Sequence, residues 1–152
     1  MAVSAPVPSG KFRIAILLHS MNAGGSQRRV VSLANGFAAH DHAVDLIAVA
    51  GEGDAGRLVA PAVRQATLAT GSLPLPRRFE GLGALKAYLN RERPDVLLAG
   101  SNYSHVVAAL ACAALKSPPL LVLRASSHPL CELPWSRPDK RVREIFRWPV
   151  ER

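Results

Sequence analysis

The chain has few cysteines, few aromatic residues and no apolar run that approaches the roughly 18 residues of a membrane span. Two cysteines, Cys112 and Cys131, are too few for a disulfide framework, and a reduced cytosolic setting is expected. Aromatic residues make up only 5% of the 152 residues, so Leu, Val, Ile and Ala must build the core. Residues 1–10 contain neither a base nor an apolar centre, and we do not expect them to be a signal peptide.

Acidic residues are also scarce. Nineteen Lys and Arg face eleven Asp and Glu, which gives a net charge of +8 and favours an anionic partner such as a phosphorylated substrate or an acidic membrane surface. The bases are scattered, with a modest concentration in residues 137–147, and they form no recognisable nucleic-acid-binding motif. Nucleic acid is therefore not an expected partner.

Short apolar runs alternate with amphipathic segments along the chain. In residues 25–39, for example, apolar side chains recur with helical spacing and form a single stripe. The pattern predicts an α/β fold, a Rossmann-like, open, mostly parallel sheet with helices on both faces. The predicted strands are 12–18, 43–49, 65–68, 95–99 and 120–123, and the predicted helices are 25–39, 58–63, 81–93, 104–116 and 140–148. Continuous apolar character predicts that 95–99 and 120–123 are buried.

Ligands of such sheets bind beyond the carboxyl ends of the strands. Residues 19–25, 100–104 and 124–131 follow predicted strands, whereas 40–42 and 91–93 precede strands and belong to the opposite, structural edge. This rule selects one candidate catalytic residue and a set of candidates for binding a phosphate or a sugar. The catalytic candidate is His128, and the binding candidates are His19, Gly24, Gly25, Arg28, Asn102, Tyr103 and Arg124.

Gly24 and Gly25 precede a predicted helix whose N-terminal N–H groups could hold a phosphate or a sugar. The same pair could equally form a flexible turn with Ser26 near the helix cap. Arg28 falls in the first helical turn, where the helix dipole disfavours a cation, and this indicates an anion nearby. No Gly-x-Gly-x-x-Gly or Gly-Lys-Ser/Thr motif is present, which disfavours nicotinamide, flavin and phosphate-loop nucleotide enzymes.

The remaining candidates also allow two interpretations. His128 could donate a proton to a reacting oxygen while Arg124 pairs with a phosphate, or it could be a solvated loop side chain. Asn102 and Tyr103 could contact a sugar or belong to a helix cap. His128 and Cys131 have a zinc-like spacing without a second pair, so no metal site is expected.

Three segments resemble sequence signatures of the family-four GT-B glycosyltransferases. Residues 24–34 resemble the Gly-Gly-Ala-Glu-Arg-Val-Val-Leu-Asn-Leu-Ala signature that opens their first helix. Residues 42–46 resemble the His-x-Val-x-Leu part of Gly-His-x-Val-x-Leu, and 93–97 resemble Lys-Pro-Asp-Val-Val. The order and separations agree, and the resemblance covers about residues 11–147. Gln27 replaces the usual Glu, Asp41 replaces a Gly, and Arg124 stands where many members have a histidine.

The resemblance implies one half of a two-domain enzyme. In this family the N-terminal Rossmann-like domain binds the acceptor, and the C-terminal domain binds a nucleotide-sugar donor. Transfer proceeds with retention of configuration and without a metal ion, often to lipid-linked or cell-envelope acceptors. The resemblance therefore implies a nucleotide-sugar co-substrate, no cofactor, and a cytoplasmic protein that could attach peripherally to the inner face of the membrane.

The sequence contains no counterpart of the family's donor-binding domain. We expect a flexible tail at 1–10, an acceptor-binding domain at 11–135, and a basic C-terminal helix or the start of an interdomain segment at 136–152. Such a chain, with the donor-binding domain missing, should transfer no sugar by itself. The alternative is a stand-alone, non-catalytic binding subunit that pairs with a separate donor-binding chain.

Overall fold

The computed structural model describes residues 10–22, 24–50, 53–68 and 81–125. The predicted helix 140–148, His128, Cys131 and nearly all of the predicted tail lie outside these residues, as does the proposed segment 136–152.

The described strands form a five-stranded, entirely parallel sheet in the order β3-β2-β1-β4-β5. The central strand β1 pairs with β2 from Arg13 opposite Ala43 to Ser20 opposite Ala50. On its other side β1 pairs with β4, so the strand order reverses between these two strands. The strands are β1 (Arg13–Ser20), β2 (Ala43–Ala50), β3 (Val63–Thr67), β4 (Val96–Ala99) and β5 (Leu120–Leu123).

Helices cover both faces of this sheet, which confirms the predicted fold class. Because side chains alternate along a strand, Ile16 and Leu18 face helix α1 (Gly25–Ala39), whereas Ala15 and Leu17 face the other side. That second side is covered by α2 (Leu82–Glu92) and α3 (Asn102–Ala113). Cys112 of α3 is buried there, and burial raises the pKa of its thiol.

Helix α1 follows its prediction at both ends. Val30, Val31 and Ala34 are buried against the sheet, and Phe37 packs at the margin of the same cluster. After the helix, Asp41 has φ of 64°, and its N–H donates to the Ala38 carbonyl at 3.0 Å. A left-handed residue is normally Gly, although Asp tolerates this conformation. The replacement of the family's Gly by Asp41 therefore keeps the turn.

At the amino-terminal edge of the sheet, residues 40–42 take part in packing contacts. The N–H of Phe12 donates to His42 Nδ1 at 3.1 Å, and the rings of Phe12 and Phe37 lie 5.6 and 6.2 Å from that of His42. These contacts join the start of β1 to the turn that precedes β2.

Two helical segments differ from the prediction because side-chain and loop contacts move them. The short helix expected at 58–63 is a 3₁₀ helix at Asp54–Leu58, placed by a hydrogen bond of 3.0 Å from the Ala55 N–H to the Met21 carbonyl. Helix α3 begins at Asn102 rather than 104 because Ser101 and Ser104 cap it. The N–H of Ser101 donates to Ser104 Oγ at 3.2 Å.

The prediction that 120–123 is a buried strand is wrong for the described part of the chain. β5 is an edge strand there, and the exposed fractions of Leu120 and Leu123 are 66% and 49%. Val122 is also exposed, as are Val106 and Leu110 of α3. An apolar run of four residues specifies a strand, but only the neighbouring elements determine how much of it is covered.

A charged network ties the amino halves of three strands to α2. The Arg64 guanidinium holds Asp45 with two hydrogen bonds, at 2.8 and 2.6 Å, and the Tyr88 hydroxyl donates to the same carboxylate. Glu92 accepts from Arg13 and lies 3.1 Å from Arg64. Asp45 is only 5% exposed, so its charge depends on these partners.

Candidate functional site

The strand order reverses between β1 and β4, and in open α/β sheets such a reversal leaves a crevice beyond the carboxyl ends of the two strands. Helix α1 leaves β1 toward one face and α3 leaves β4 toward the other. The paired segment of β1 and β4 ends with Leu17 opposite Ala99, and the Gly100 N–H then donates to the Leu17 carbonyl at 2.9 Å. β1 continues to Ser20. This is the topological switch point at which ligands bind in open α/β sheets.

The N-terminus of α1 lies at this crevice and has no internal cap. Its first helical hydrogen bond, from the Arg28 N–H to the Gly24 carbonyl, is 3.0 Å long. Within the described residues, the N–H groups of Gly25, Ser26 and Gln27 meet no acceptor, and the first turn has no acidic residue. The buried Ser26 hydroxyl also meets no partner there. These donors and the helix dipole make the site suitable for an anion.

The two glycines at this terminus are not required by the fold. A Cβ on Gly25 would meet nothing within 4 Å, and one on Gly24 would approach only the flexible end of Gln27. Gly100 is different, because a Cβ there would lie 3.0 Å from Val30 Cγ2. Gly100 therefore lets α1 pack closely on the sheet, whereas Gly25 leaves open space beside the helix N-terminus.

The predicted binding residues from β1, α1 and β4 all lie around the crevice. His19 belongs to the end of β1 rather than to the loop after it, and strand alternation puts it on the α3 side with Leu17. Arg28 is exposed in the first turn of α1. Asn102 and Tyr103 open helix α3 instead of forming a loop.

Arg124 is linked to these residues by a hydrogen bond to Gly100, which follows β4. Its Nη1 donates to the Gly100 carbonyl at 3.2 Å, and its own carbonyl lies 3.1 Å from Nε2 of His105. The sequence pattern predicted no role for His105, yet its ring fixes the end of β5 beside α3. Nothing in the local sequence indicates this contact, because it joins residues that only the fold brings together. His128, the candidate that follows Arg124, lies outside the described residues.

Two cavities lie in the described part of the chain. One, of about 610 Å³, adjoins the loop after β1 and is lined by Met21, Asn22, Leu46, Ala48, Gly53, Asp54, Gly56, Arg57, Gln65, Ala66 and Thr67. The other, of about 790 Å³, lies between the C-terminal ends of α2 and α3 at the amino-terminal edge. The smaller cavity lies beside the loop after β1, on the side of the sheet that carries β2 and β3. It could not be predicted from the sequence, because the 3₁₀ helix that lines it is placed by a contact with the loop after β1.

The described residues hold no group of three or more His, Cys, Asp or Glu side chains that could bind a metal ion. Over the same residues, no helix is long and apolar enough to cross a membrane.

The parallel sheet, its central switch point and the open helix N-terminus define a Rossmann-like α/β domain. A family model described as Glycosyltransferase Family 4 matches residues 23–152, and the chain belongs to that family. No curated protein matches the chain. The fold agrees with the N-terminal half of a GT-B glycosyltransferase, and the chain is a glycosyltransferase domain in this general sense.

Proposed function

We propose that the chain is the acceptor-side domain of a glycosyltransferase that transfers a sugar from a nucleotide-sugar to a lipid-linked or cell-envelope glycan. The donor would be held by a second domain, either on a longer polypeptide or on a separate chain. The observation that supports this most directly is the uncapped N-terminus of α1 at the switch point. Its N–H groups can stabilise the charge that develops on a leaving diphosphate.

The proposed reaction depends on closing this domain over the donor. Closure would bring the α1 terminus against the diphosphate and exclude water from the crevice. Arg124, which is held beside Gly100, would add positive charge, and His128 would exchange a proton with a reacting oxygen. Backbone N–H groups and arginines can together neutralise a diphosphate, so the proposed transfer needs no metal ion. Activity of the assembled enzyme should therefore survive a chelator.

The first test is the substitution Gly25→Ala in this chain. The added methyl group would fill the open space beside the α1 terminus and keep an anion away from the N–H groups. We expect inorganic phosphate and UDP to bind about tenfold more weakly, a loss of about 1.4 kcal/mol. The dissociation constants can be measured from backbone amide shifts of the ¹⁵N-labelled protein during titration.

Gly36→Ala is the matched control because Gly36 belongs to the same helix and also has open space around it. This substitution should raise the free energy of unfolding by about 0.5–1 kcal/mol through helix propensity. Phosphate binding should be unchanged in Gly36→Ala. If Gly25→Ala binds phosphate and UDP as tightly as the parent chain, the anion site is not at this terminus.

The basic composition supports a peripheral location for this function. A net charge of +8 would attract the chain to the anionic cytoplasmic leaflet, where lipid-linked acceptors are exposed. Sedimentation with vesicles tests this proposal, because binding should require anionic lipid and should decrease as salt is added.

The second candidate function is a non-catalytic binding subunit that pairs with a separate donor-binding chain. It is favoured by the exposed apolar side chains of α3 and β5, since large exposed apolar patches commonly mark interfaces. The intact mass of the native protein, captured from its source cells with an antibody to this domain, separates the two. About 40 kDa indicates a two-domain enzyme, whereas 16.2 kDa together with a co-purifying donor-binding chain indicates the subunit.

A further inference from the structure

We propose that the cavity of about 610 Å³ beside the 3₁₀ helix, which we call the 3₁₀ pocket, binds a neutral, polyhydroxylated group of pyranose type. The inference rests on the proposed function in one respect, because it takes this group to be the part of the acceptor nearest the switch point. The binding itself is a property of the described residues and can be tested without any transfer reaction.

The position of the 3₁₀ pocket links it to the anion site. Met21 and Asn22, which follow β1, form one wall, and the same short segment leads to Gly24 at the start of α1. A Cβ on Gly53 would lie 2.3 Å from the Met21 carbonyl oxygen and 2.7 Å from the Asn22 nitrogen. Gly53 therefore lets the two loops touch, and the hydrogen bond from Ala55 to Met21 fixes them together. A ligand in the pocket would therefore contact the loop that leads from β1 to the α1 terminus.

Four polar side chains of the pocket make no hydrogen bond within the described structure, whereas Gln65 donates to the Gly56 carbonyl at 3.3 Å. Asp54 and Arg57 are i and i+3 in one 3₁₀ turn and therefore project from the same side. Nevertheless, in the described structure they form no ion pair with each other, and neither side chain makes a hydrogen bond. The side chains of Asn22 and Thr67 likewise make no hydrogen bond to any described residue. A carboxylate, a guanidinium, an amide and a hydroxyl thus face one cavity with their donors and acceptors unused.

The chemistry of the lining selects a neutral polyol. One carboxylate and one guanidinium give the pocket no net charge, in contrast to the α1 terminus with its dipole and Arg28. A carboxylate can accept hydrogen bonds from two adjacent hydroxyls, and the guanidinium and amide can donate to hydroxyl or ring oxygens. Leu46 and Ala48 form an apolar floor for the C–H face of a ring. The volume of about 610 Å³ lies within the roughly 300–1,000 Å³ of ligand pockets.

The test is a titration of the ¹⁵N-labelled, 152-residue chain with four neutral probes, the methyl glycosides of glucose, galactose and mannose, and myo-inositol. At least one probe should shift the backbone amides of Asn22, Asp54, Gly56 and Thr67, with a dissociation constant on the order of 1–10 mM. Inorganic phosphate, titrated separately, should instead shift the amides of the first turn of α1.

Asp54→Asn removes the carboxylate without changing the size of the side chain, and it should weaken binding of the effective probe about tenfold or more. Asp41→Asn is the matched control, since it makes the same change at an exposed aspartate of the opposite edge and should leave binding unchanged. Because Asp54 has no partner in the described structure, its replacement should not affect folding, and an unchanged amide spectrum elsewhere verifies this.

The outcomes separate the pocket from the proposed function. If no neutral probe shifts the pocket amides while phosphate shifts those of α1, the pocket inference is overturned and the proposed function stands. If a probe binds but Asp54→Asn binds it equally well, the assignment of the pocket is also overturned. If a probe binds as expected while neither phosphate nor UDP affects α1, the pocket inference stands and the proposed function fails.

Discussion

Asp45 is a charged residue in the amino half of the buried strand β2, and side chains of β3 and α2 keep it ionised. Burial by itself would raise the pKa of the carboxyl. The hydrogen bonds from Arg64 and Tyr88 outweigh burial and hold that pKa below its usual range. The Tyr88 hydroxyl is affected in the opposite direction, because burial and its bond to Asp45 raise its pKa. The network therefore makes a pH-dependent contribution to the free energy of unfolding.

We expect Asp45→Asn to lower the free energy of unfolding at neutral pH by about 2 kcal/mol. Breaking a fully buried ion pair costs more, but the Arg64 side chain is half exposed and water can solvate it. Because the folded-state pKa of Asp45 is lowered, its stabilisation is complete above the unfolded value of about 3.9 and is lost as the pH falls below it. Urea unfolding at pH 7 and pH 3 measures both effects.

Tyr88→Phe is the control for this prediction, since it removes one hydrogen bond and keeps the ion pair. It should lower the free energy of unfolding by about 1 kcal/mol at neutral pH. A difference between the parent chain and Asp45→Asn that stays the same from pH 7 to pH 3 would show that the charge of Asp45 does not stabilise the fold.

At the scale of elements, the packing of α1 on the sheet depends on Gly100. This glycine follows β4, and a Cβ there would meet Leu18 at 3.1 Å and both methyl groups of Val30 at 3.0 and 3.1 Å. Because Val30 is fully buried on α1, its side chain cannot move away to accommodate a methyl group at position 100. The glycine thus sets the distance between the helix and the two strands of the switch point, and with it the position of the α1 terminus.

Gly100→Ala should therefore destabilise the chain by about 1–3 kcal/mol through overpacking. Val30→Ala alone should cost about 2 kcal/mol by opening a cavity. In the double variant the new methyl group would occupy part of that cavity. The loss of free energy of unfolding should therefore be smaller than the sum of the two single-variant losses by about 0.5 kcal/mol or more. Chemical denaturation of the four proteins gives the coupling energy, and strict additivity would show that Gly100 does not set the helix position.

The whole molecule is strongly basic, and this should affect its two proposed sites differently. The net charge of +8 contributes a positive potential that favours an anion at the α1 terminus. Raising the ionic strength from about 0.01 M to about 0.15 M shortens the screening length from about 30 Å to about 8 Å. We expect the dissociation constant for inorganic phosphate to rise severalfold over this range.

Binding of a neutral glycoside in the 3₁₀ pocket should not respond to salt, and it serves as the internal control. Both dissociation constants come from the same amide-shift titrations at each ionic strength. If phosphate binding is equally insensitive to salt, the charge of the molecule does not contribute to anion recognition.

Much of the architecture was predictable because it follows from local patterns. Residues 12–39 contain an apolar run, a glycine pair and apolar residues at helical spacing, and this pattern predicted β1 and α1 with little error. The order of the predicted elements indicated a parallel sheet. The carboxyl-edge rule also assigned His19, Gly24 and Asn102 to the ends of β1 and β4, where the structure has them, and their binding roles stay predictions. In contrast, the 3₁₀ helix and its pocket could not be predicted, because their position depends on the contact of Gly53 with the loop after β1.

The sequence by itself determined the class of fold, the family resemblance and the edge of the sheet at which a ligand should bind. These depend on periodicity, on glycine and proline positions and on short motifs, all of which are local. Only the tertiary structure decided that Gly25 has open space while Gly53 and Gly100 have none, and that β5 is exposed in the described sheet. The tertiary structure likewise decided which residues contact Asp45, because these contacts join residues that lie far apart along the chain.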